Sequence, residues 1–289
     1  MKNFFLATRP KTLVAALIPP LMSYVLSVTH HFSVKPYLVI FCMLSALCIQ
    51  LATNFFNDLI DFQKGADSVR HGPIRVTSAG LVRPNQIRNW ALGSLLAATI
   101  FAIPLILKGG TIILIPGLLS LYLTYGYTGG PLPLAYKGLG EIFVFLFFGL
   151  FSVVGSYYLY TDNLHPDVLV LAAIYGFLTM TLICVNNLRD REEDKKVEKL
   201  TLATRMSETN YKVITLLTIY LPYLFIFHLE NVLHLWPMLL SIPISLKLAL
   251  IVLREKREKL NLGLRIAGIH LVVFSVLLYL SLFYEHLFS

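Results

Sequence analysis

Nine long apolar stretches run through this chain, and they constrain its fold more than any other feature. A helix needs about 20 apolar residues to cross the hydrocarbon core of a bilayer. The composition, with 56% hydrophobic and 14% charged residues and a mean hydropathy of +0.71, excludes an ordinary soluble domain. We therefore predict an all-α polytopic membrane protein with nine transmembrane helices in a single domain, residues 1–289. The predicted spans are approximately 12–29, 36–60, 88–107, 111–128, 140–160, 166–188, 209–229, 232–253 and 262–286.

The positions of the 24 Lys and Arg residues predict the orientation of these spans. Cytoplasmic segments of membrane proteins are enriched in Lys and Arg. With a cytoplasmic N-terminus, 21 of the basic residues fall on the cytoplasmic side and two, Lys35 and Lys108, on the other. We expect an external C-terminus and a location in the cell (inner) membrane. The net charge of +8 therefore does not indicate a nucleic-acid partner, because the basic residues are distributed between apolar spans.

Two long connections, at about 61–87 and 189–208, hold most of the polar residues and are predicted to be cytoplasmic functional loops. Asn57 and Asp61, at the end of the second span, are four residues apart. Asn186 and Asp190, at the end of the sixth span, have the same spacing 129 residues later, and Asp194 follows after four more. On helices these residues share one face, whereas Asp58 points about 100° away from Asn57. The pattern indicates a weak internal repeat.

Carboxylates are costly at the end of a membrane helix, so their presence there favours a function. Mg²⁺ prefers oxygen ligands and commonly bridges carboxylates to substrate phosphates. Cations between the acids would contact the outer oxygens of a diphosphate; these are Lys64, Arg70, Arg189, Lys195 and Lys199. For Glu192, Glu193 and Glu198 we instead expect an ordinary solvated loop.

A diphosphate site that faces a membrane suggests a substrate with a diphosphate head and an apolar tail, a polyprenyl diphosphate. Aromatic faces stabilise the allylic cation that forms when the diphosphate departs. The candidates are Tyr122, Tyr125, Tyr127, Phe143, Phe145, Phe147 and Phe148, although ordinary packing is the simpler interpretation of any single Phe.

The segments "NDLIDFQKGAD" and "NNLRDREED" resemble the two aspartate motifs of the UbiA superfamily of intramembrane prenyltransferases. Within that superfamily, "RPKTLVAALIPP", "YGYTGGPLPLAYKGLGEIFVFLFFGL" and "KLTLATR" look like the 1,4-dihydroxy-2-naphthoate polyprenyltransferases of menaquinone synthesis. The resemblance extends from about residue 9 to 206. It departs from the family at Glu198, where the second motif usually has a glycine before the lysine.

The resemblance implies Mg²⁺-dependent transfer of a polyprenyl group to 1,4-dihydroxy-2-naphthoate, with loss of diphosphate and CO₂. The implied ligands of Mg²⁺ are Asn57, Asp61, Asp67, Asp190 and Asp194. The implied catalytic residues are Asp61, Asp190, Arg189 and Lys199. Candidate substrate-binding residues are Asn57, Asn187, Lys64, Arg9, Lys11, Tyr127, Lys137 and Glu141.

Two alternatives stay open from the sequence. A related enzyme with the same fold would use another acceptor: 4-hydroxybenzoate, an isomeric naphthoate, or a chlorophyll or haem precursor. A transporter would place its charges near the membrane midplane, whereas the acids here gather at one face.

Overall fold

The computed structural model describes residues 2–65, 72, 74–229 and 232–288, without the side chains of residues 11, 232–234 and 285–288. This part of the chain is helical and contains no β-strand. The α-helices are α1 (Lys2–Thr8), α2 (Pro10–Thr29), α3 (Pro36–Gln63), α4 (Pro84–Gly126), α5 (Gly140–Val144), α6 (Gly155–Thr161), α7 (Pro166–Lys196), α8 (Leu202–Arg205), α9 (Glu208–Phe225), α10 (Ile242–Arg254) and α11 (Leu260–Phe288). Tighter 3₁₀ turns occupy Leu134–Tyr136, Ile226–His228, Val232–Ser241 and Arg257–Lys259, and a wider π-helical segment, Phe145–Val154, joins α5 to α6.

Eight helical segments in the described ranges are long and apolar enough to cross a membrane. This result confirms the prediction of an all-α polytopic membrane protein. Prolines in the first turn of α2, α3, α4 and α7 mark where these helices begin. Proline suits this position because its missing N–H has no partner within the helix.

The longest of the eight segments, α4, has 43 residues and turns back on itself. Gly110 has φ 59° and ψ −145°, which breaks the helix at its middle. Trp90, near the start of α4, packs on Phe55, and Tyr125, near its end, packs on the adjacent Phe56. In a continuous helix residues 90 and 125 would be about 52 Å apart. The element is therefore a helical hairpin, whose arms correspond to the predicted spans 88–107 and 111–128. The number of membrane crossings and their orientation stay predictions.

Both motif-bearing helices extend beyond their predicted apolar limits. Helix α3 ends at Gln63 and α7 ends at Lys196, so residues 189–196 are helical and not part of a loop as predicted. The charged residues after Leu188 are mostly good helix formers, which allows the helix to continue out of the apolar layer. Asp190 and Asp194 consequently have fixed positions on α7.

Close backbone contact holds the π-helical segment against α7. A Cβ atom added at Gly149 would lie 2.5 Å from the carbonyl oxygen of Ala172 and 2.7 Å from the Cα atom of Gly176. Both atoms belong to the backbone of α7 and have little freedom to move away. Glycine at position 149 therefore permits this approach, which sets the distance between the end of α7 and the Glu141 end of its neighbour.

We predict that Gly149→Ala destabilises the protein by about 1–3 kcal/mol, because the added methyl group overlaps backbone atoms. The measurement is the melting temperature of purified protein in detergent. The matched control is Gly93→Ala, a helical position where an added Cβ meets no atom within 4 Å. Equal melting temperatures of the two variants would contradict the packing described here.

Candidate active site

Asp61 is the central acid of the first motif, and it is almost completely buried (2% exposed). Arg75, from the segment that precedes α4, donates from Nη2 to Oδ2 of Asp61 at 2.6 Å. The hydroxyl of Tyr136 donates to Oδ1 at 2.9 Å. The positive charges of Lys199 and Arg9 also act on this carboxylate. Residues from four separate parts of the chain thus converge on Asp61.

Asp58 has a different role, in agreement with its position on another face of α3. Its two carboxylate oxygens accept hydrogen bonds from the backbone N–H groups of Val76 and Thr77, each at 3.2 Å. These bonds hold the segment that carries Arg75 against α3. Asp58 is therefore a positioning residue for the arginine that pairs with Asp61.

Asn57 and Lys64 meet at Thr128, just beyond the C-terminal end of α4. The Thr128 hydroxyl donates to Oδ1 of Asn57, and the Lys64 Nζ atom donates to the Thr128 carbonyl oxygen at 2.9 Å. Lys64 also lies 3.7 Å from the centre of the Tyr136 ring, a cation–π distance. Burial lowers the pKa of the Lys64 ammonium, while the Asp61 carboxylate partly opposes that effect.

In the second motif, Arg189 is 1% exposed and holds Asp190 in place. Its Nε and Nη2 atoms donate to the two oxygens of Asp190 at 2.7 and 2.6 Å. Nη2 also donates to Oδ1 of Asn186, and Nη1 donates to Oδ1 of Asn261. The paired arrangement orients the Asp190 carboxylate, of which 18% is exposed. The catalytic role of Arg189 stays a prediction.

Asn187 faces another direction and contacts Glu141, at the start of α5. Its Nδ2 atom donates to Oε1 of Glu141 at 2.8 Å, and the Tyr211 hydroxyl donates to the same oxygen at 2.5 Å. Glu141 is 1% exposed. Tyr127 lies beside this group, because a Cβ at Gly140 would be 2.8 Å from its hydroxyl oxygen.

Asp194 and Lys199 connect the second motif to the first. The Lys199 Nζ atom lies 3.6 Å from Oδ1 of Asp194 and 5.4 Å from the centre of the Tyr136 ring. Burial would lower the pKa of Lys199, but the carboxylates of Asp61 and Asp194 outweigh burial and raise it. Burial, with the nearby charge of Asp61, raises the pKa of Tyr136. Two lysines, one following each motif, therefore lie near the neutral Tyr136 ring.

Glu198 stands where the family motif usually has a glycine, and its backbone explains that preference. It has φ 54°, in the left-handed region. This conformation costs other residues about 1–2 kcal/mol but costs glycine almost nothing. The turn is closed by the backbone N–H of Lys199, which donates to the carbonyl oxygen of Asp194 at 2.9 Å. The chain thus forms a turn that suits glycine, with a glutamate in it.

Several other predicted residues are exposed, lie at the edge of this site, or fall outside the described residues. Lys137, Tyr122 and Tyr125 are exposed, and the ring of Tyr125 packs on Phe56. Lys195 is on the surface with Glu192. Arg9 occupies a left-handed kink (φ 49°) between α1 and α2. Asp67, Arg70 and the side chain of Lys11 lie outside the described residues.

One expectation about the charged loop was wrong. Glu192 and Glu198 are exposed as predicted, but Glu193 is buried (9% exposed). Because α7 continues through this segment, consecutive residues point about 100° apart, and Glu193 turns toward the bundle.

Sequence reasoning missed three residues of this site, Tyr136, Arg75 and Thr128. None of the three lies in an α-helix of the structure, so helical periodicity gives no signal for their contacts. Tyr136 does occur in the "YGYTGGPLPLAYKG" segment that carries the family resemblance, and Arg75 was counted among the cytoplasmic basic residues.

The two motifs bring oxygen donors near one another, since the charges of Asp61 and Asp190 act on Asp194, and oxygen donors are the ligand type that a hard divalent cation prefers. The donors are the carboxylates of Asp61, Asp190 and Asp194 and the amide oxygen of Asn57. Among the described residues, the Oδ2 atom of Asp194 is buried without a hydrogen-bond partner. A buried carboxylate oxygen in that state is costly unless a cation or a ligand pairs with it.

Comparison with known proteins identifies the family of this chain. Residues 16–263 match the model of the UbiA prenyltransferase family. This chain belongs to the UbiA prenyltransferase family. The resemblance and the enzyme class predicted from the sequence are thereby confirmed.

Two bacterial relatives have the same curated name, 1,4-dihydroxy-2-naphthoate octaprenyltransferase. The protein from Bacillus subtilis (strain 168) is 34% identical over 211 residues, which cover 69% of this chain and 64% of the relative. The protein from Escherichia coli (strain K12) is 32% identical over 259 residues, which cover 86% of this chain and 83% of the relative. The chain thus spans somewhat less than two thirds of the Bacillus protein.

Solved structures show the same fold along nearly the whole chain. A UbiA homolog from Archaeoglobus fulgidus, described as bound to GPP and Mg²⁺, superimposes with a TM-score of 0.66 at 16% identity and covers 97% of this chain and 99% of its own. A structure described as digeranylgeranylglyceryl phosphate synthase gives a TM-score of 0.59 at 17% identity, covering 97% and 98%.

We predict that Glu198→Gly is more stable than Glu198→Ala by about 1 kcal/mol, because only glycine adopts the left-handed conformation without cost. Both substitutions remove the carboxylate, so any effect of its charge cancels between them. The measurement is again the melting temperature in detergent. An alanine variant as stable as the glycine variant would contradict the assigned turn.

Proposed function

We propose that this protein transfers a polyprenyl group from polyprenyl diphosphate to 1,4-dihydroxy-2-naphthoate, releasing diphosphate and CO₂ and giving demethylmenaquinol. The observation that carries this proposal is the convergence of both acidic motifs on Tyr136, with Lys64 and Lys199 beside its ring. The names of the bacterial relatives support the choice of acceptor. The distribution of basic residues supports a reaction at the cytoplasmic face of the cell membrane.

Asn57, Asp61, Asp190 and Asp194 would hold Mg²⁺, and Asp67 is a further proposed ligand. When bound, Mg²⁺ supplies positive charge that stabilises the departing diphosphate. The description of the Archaeoglobus homolog with GPP and Mg²⁺ supports this assignment. Arg75 and Arg189 hold the carboxylates of Asp61 and Asp190 in fixed orientations before any cation binds.

Lys64 and Lys199 are proposed to bind the outer oxygens of the diphosphate. Both ammonium groups lie beside Tyr136, within a cluster that also contains Asp61. The raised pKa of Lys199 keeps it charged, which a diphosphate-binding residue requires. Arg9, whose charge also acts at Asp61, is proposed to bind substrate at the edge of this cluster.

The chemical step breaks the bond between C1 of the prenyl group and the bridging oxygen, and the electron pair leaves with the diphosphate. The acceptor ring then forms a bond to C1 through the carbon that bears the carboxylate. Loss of CO₂ returns the electron pair of that carbon–carboxylate bond to the ring and restores aromaticity. Because CO₂ departs instead of a ring proton, no strong protein base is required.

Glu141, Asn187 and Tyr127 are proposed to orient the acceptor. Glu141 shares one carboxylate oxygen with Asn187 and Tyr211, while its other oxygen, Oε2, is buried without a partner among the described residues. A phenolic hydroxyl of the acceptor would satisfy that oxygen. Lys11 and Lys137 stay proposed contacts at the rim.

The aromatic residues that follow Glu141 are proposed to enclose the reacting end of the prenyl chain. Phe143 and Phe147 stack at 5.9 Å between ring centres, and Phe147 meets Phe151 edge to face at 4.9 Å. This apolar row leads away from the acidic motifs along the π-helical segment. It would shield the allylic cation from water and stabilise it through the ring faces.

The decisive experiment supplies purified protein with Mg²⁺, a polyprenyl diphosphate and 1,4-dihydroxy-2-naphthoate. We expect prenylated product and an equal amount of CO₂, with activity lost on chelation by EDTA and restored by Mg²⁺. Asp61→Ala and Asp190→Ala should lower kcat/KM by at least about 100-fold, since each removes charge stabilisation in the transition state.

Parallel reactions with 4-hydroxybenzoate, an isomeric naphthoate and a chlorophyll or haem precursor test the choice of acceptor. Glu192→Ala removes an exposed carboxylate from the same helix as Asp190; it is the matched control for loss of a carboxylate and should retain most activity. Product from another acceptor alone would replace the proposed substrate. Full activity in both aspartate variants would refute the proposed mechanism.

We further predict that Tyr136→Ala raises KM for the polyprenyl diphosphate about three- to 30-fold, because the two lysines lose the ring that positions them. Tyr136→Phe keeps the ring and loses the hydrogen bond to Asp61, so its KM should change less. The measurement is steady-state kinetics with each substrate varied in turn. Equal effects of the two substitutions would contradict a role for the ring.

A further inference from the structure

His30, His165 and Asp167 meet at the end of the bundle opposite the acidic motifs. His30 directly follows α2, His165 caps the N-terminus of α7, and Asp167 lies in the first turn of α7. One ligand atom from each lies within 4.8 Å of the other two. Of the residues the structure describes, these form the one such group of three His, Cys, Asp or Glu side chains.

This cluster is remote from the proposed reaction. Asp167 and Asp190 are 23 residues apart on the same helix, which corresponds to about 34 Å along its axis. The cluster therefore lies beyond the apolar layer, on the face that the charge distribution predicts to be external. Neither the aspartate motifs nor the acceptor residues contact it.

The distances within the cluster match the spacing of metal ligands. Nε2 of His30 lies 3.4 Å, and Nδ1 of His165 lies 3.7 Å, from Oδ2 of Asp167. Charge-assisted hydrogen bonds measure about 2.7–2.9 Å. Around a tetrahedral Zn²⁺ ion with bonds of about 2.0–2.1 Å, neighbouring ligand atoms are about 3.3–3.4 Å apart.

Neighbouring groups orient both imidazoles for binding. Nδ1 of His30 lies 2.7 Å from the hydroxyl oxygen of Tyr157, a fully buried residue. Metal-binding histidines commonly donate their second ring N–H to such an oxygen, which directs the other nitrogen at the metal. Nδ1 of His165 accepts a long hydrogen bond (3.3 Å) from the backbone N–H of Asp167, so it has no proton, and metal binding would replace that bond.

We propose that His30, His165 and Asp167 bind a divalent transition-metal ion, Zn²⁺, that ties α2 to α7 at the external end of the bundle. Two imidazoles and a carboxylate suit Zn²⁺ and leave a fourth position for water, whereas Mg²⁺ prefers oxygen ligands. The Asp167 side chain is 6% exposed and that of His165 is 34% exposed, so the site is closed on the protein side and open toward solvent.

The test uses tag-free, chelator-treated full-length protein in detergent, titrated with Zn²⁺ or with Co²⁺ as a spectroscopic probe. We expect one ion per chain, visible absorption from four-coordinate Co²⁺, and a higher melting temperature with Zn²⁺. His165→Asn keeps a side chain that caps α7 but removes the imidazole, and it should raise the Kd for Zn²⁺ at least tenfold. Asp167→Asn should have a comparable effect.

Two controls separate this site from other metal binding. His228→Ala removes an exposed histidine elsewhere and should leave the Kd for Zn²⁺ unchanged. Asp190→Ala, in the proposed Mg²⁺ site, should also leave it unchanged. The proposal fails if Zn²⁺ does not saturate at one ion per chain, if both cluster variants bind as the original protein does, or if either control weakens binding equally.

Discussion

The buried carboxylate of Asp61 is the constraint on which the polar end of this protein depends. An unpaired buried charge lowers the stability of the fold by several kcal/mol, so the folded chain must place hydrogen-bond donors or cations beside it. Arg75 and Tyr136 meet this requirement from two different connections. Asp58, about one helical turn away, fixes the backbone that carries Arg75. The segments that carry Arg75 and Tyr136 are therefore held in place by hydrogen bonds to acids of the first motif, one of which, Asp61, has a role in the proposed function.

Charge compensation also joins the two halves of the internal repeat. Lys64 follows the first motif and Lys199 follows the second, and both lie against Tyr136, which belongs to neither. Asp194 pairs with Lys199, and Asp190 pairs with the buried Arg189. Each of the three motif carboxylates thus has a cationic partner, since Asp61 pairs with Arg75 in the same way. A diphosphate with its Mg²⁺ would enter a site whose charges are already close to balanced.

The apolar bundle supplies the rigidity that this arrangement requires. The contact of Gly149 with the backbone of α7 keeps the Glu141 end of one span close to the Asn187 end of another. Helix α7 is continuous from Pro166 to Lys196 and therefore spans the distance between the two ends of the bundle. Each of its ends contributes to a different group of side chains. Carboxylates and lysines gather at one end, and histidines with a single aspartate gather at the other.

The sequence by itself determined the class of fold, the approximate spans and the acidic motifs. Hydrophobic length and four-residue spacing are local properties, and a helix in a bilayer must satisfy its own backbone. Asn57 and Asp61, and Asn186 and Asp190, could therefore be recognised without coordinates. The family resemblance added the reaction class and indicated Asn187.

Tertiary structure alone decided which residues surround the acids and how each one is paired. Tyr136, Arg75 and Thr128 come from irregular segments, whose paths depend on contacts with distant residues and have no periodic signal. Tertiary structure also distinguishes two adjacent asparagines: Asn186 accepts a hydrogen bond from Arg189, whereas Asn187 donates one to Glu141. The His30–His165–Asp167 cluster arises in the same way, because packing of α2 against α7 joins residues more than 130 positions apart. Helical periodicity reaches only a few turns along the chain, whereas such sites are formed by side chains that meet across the bundle.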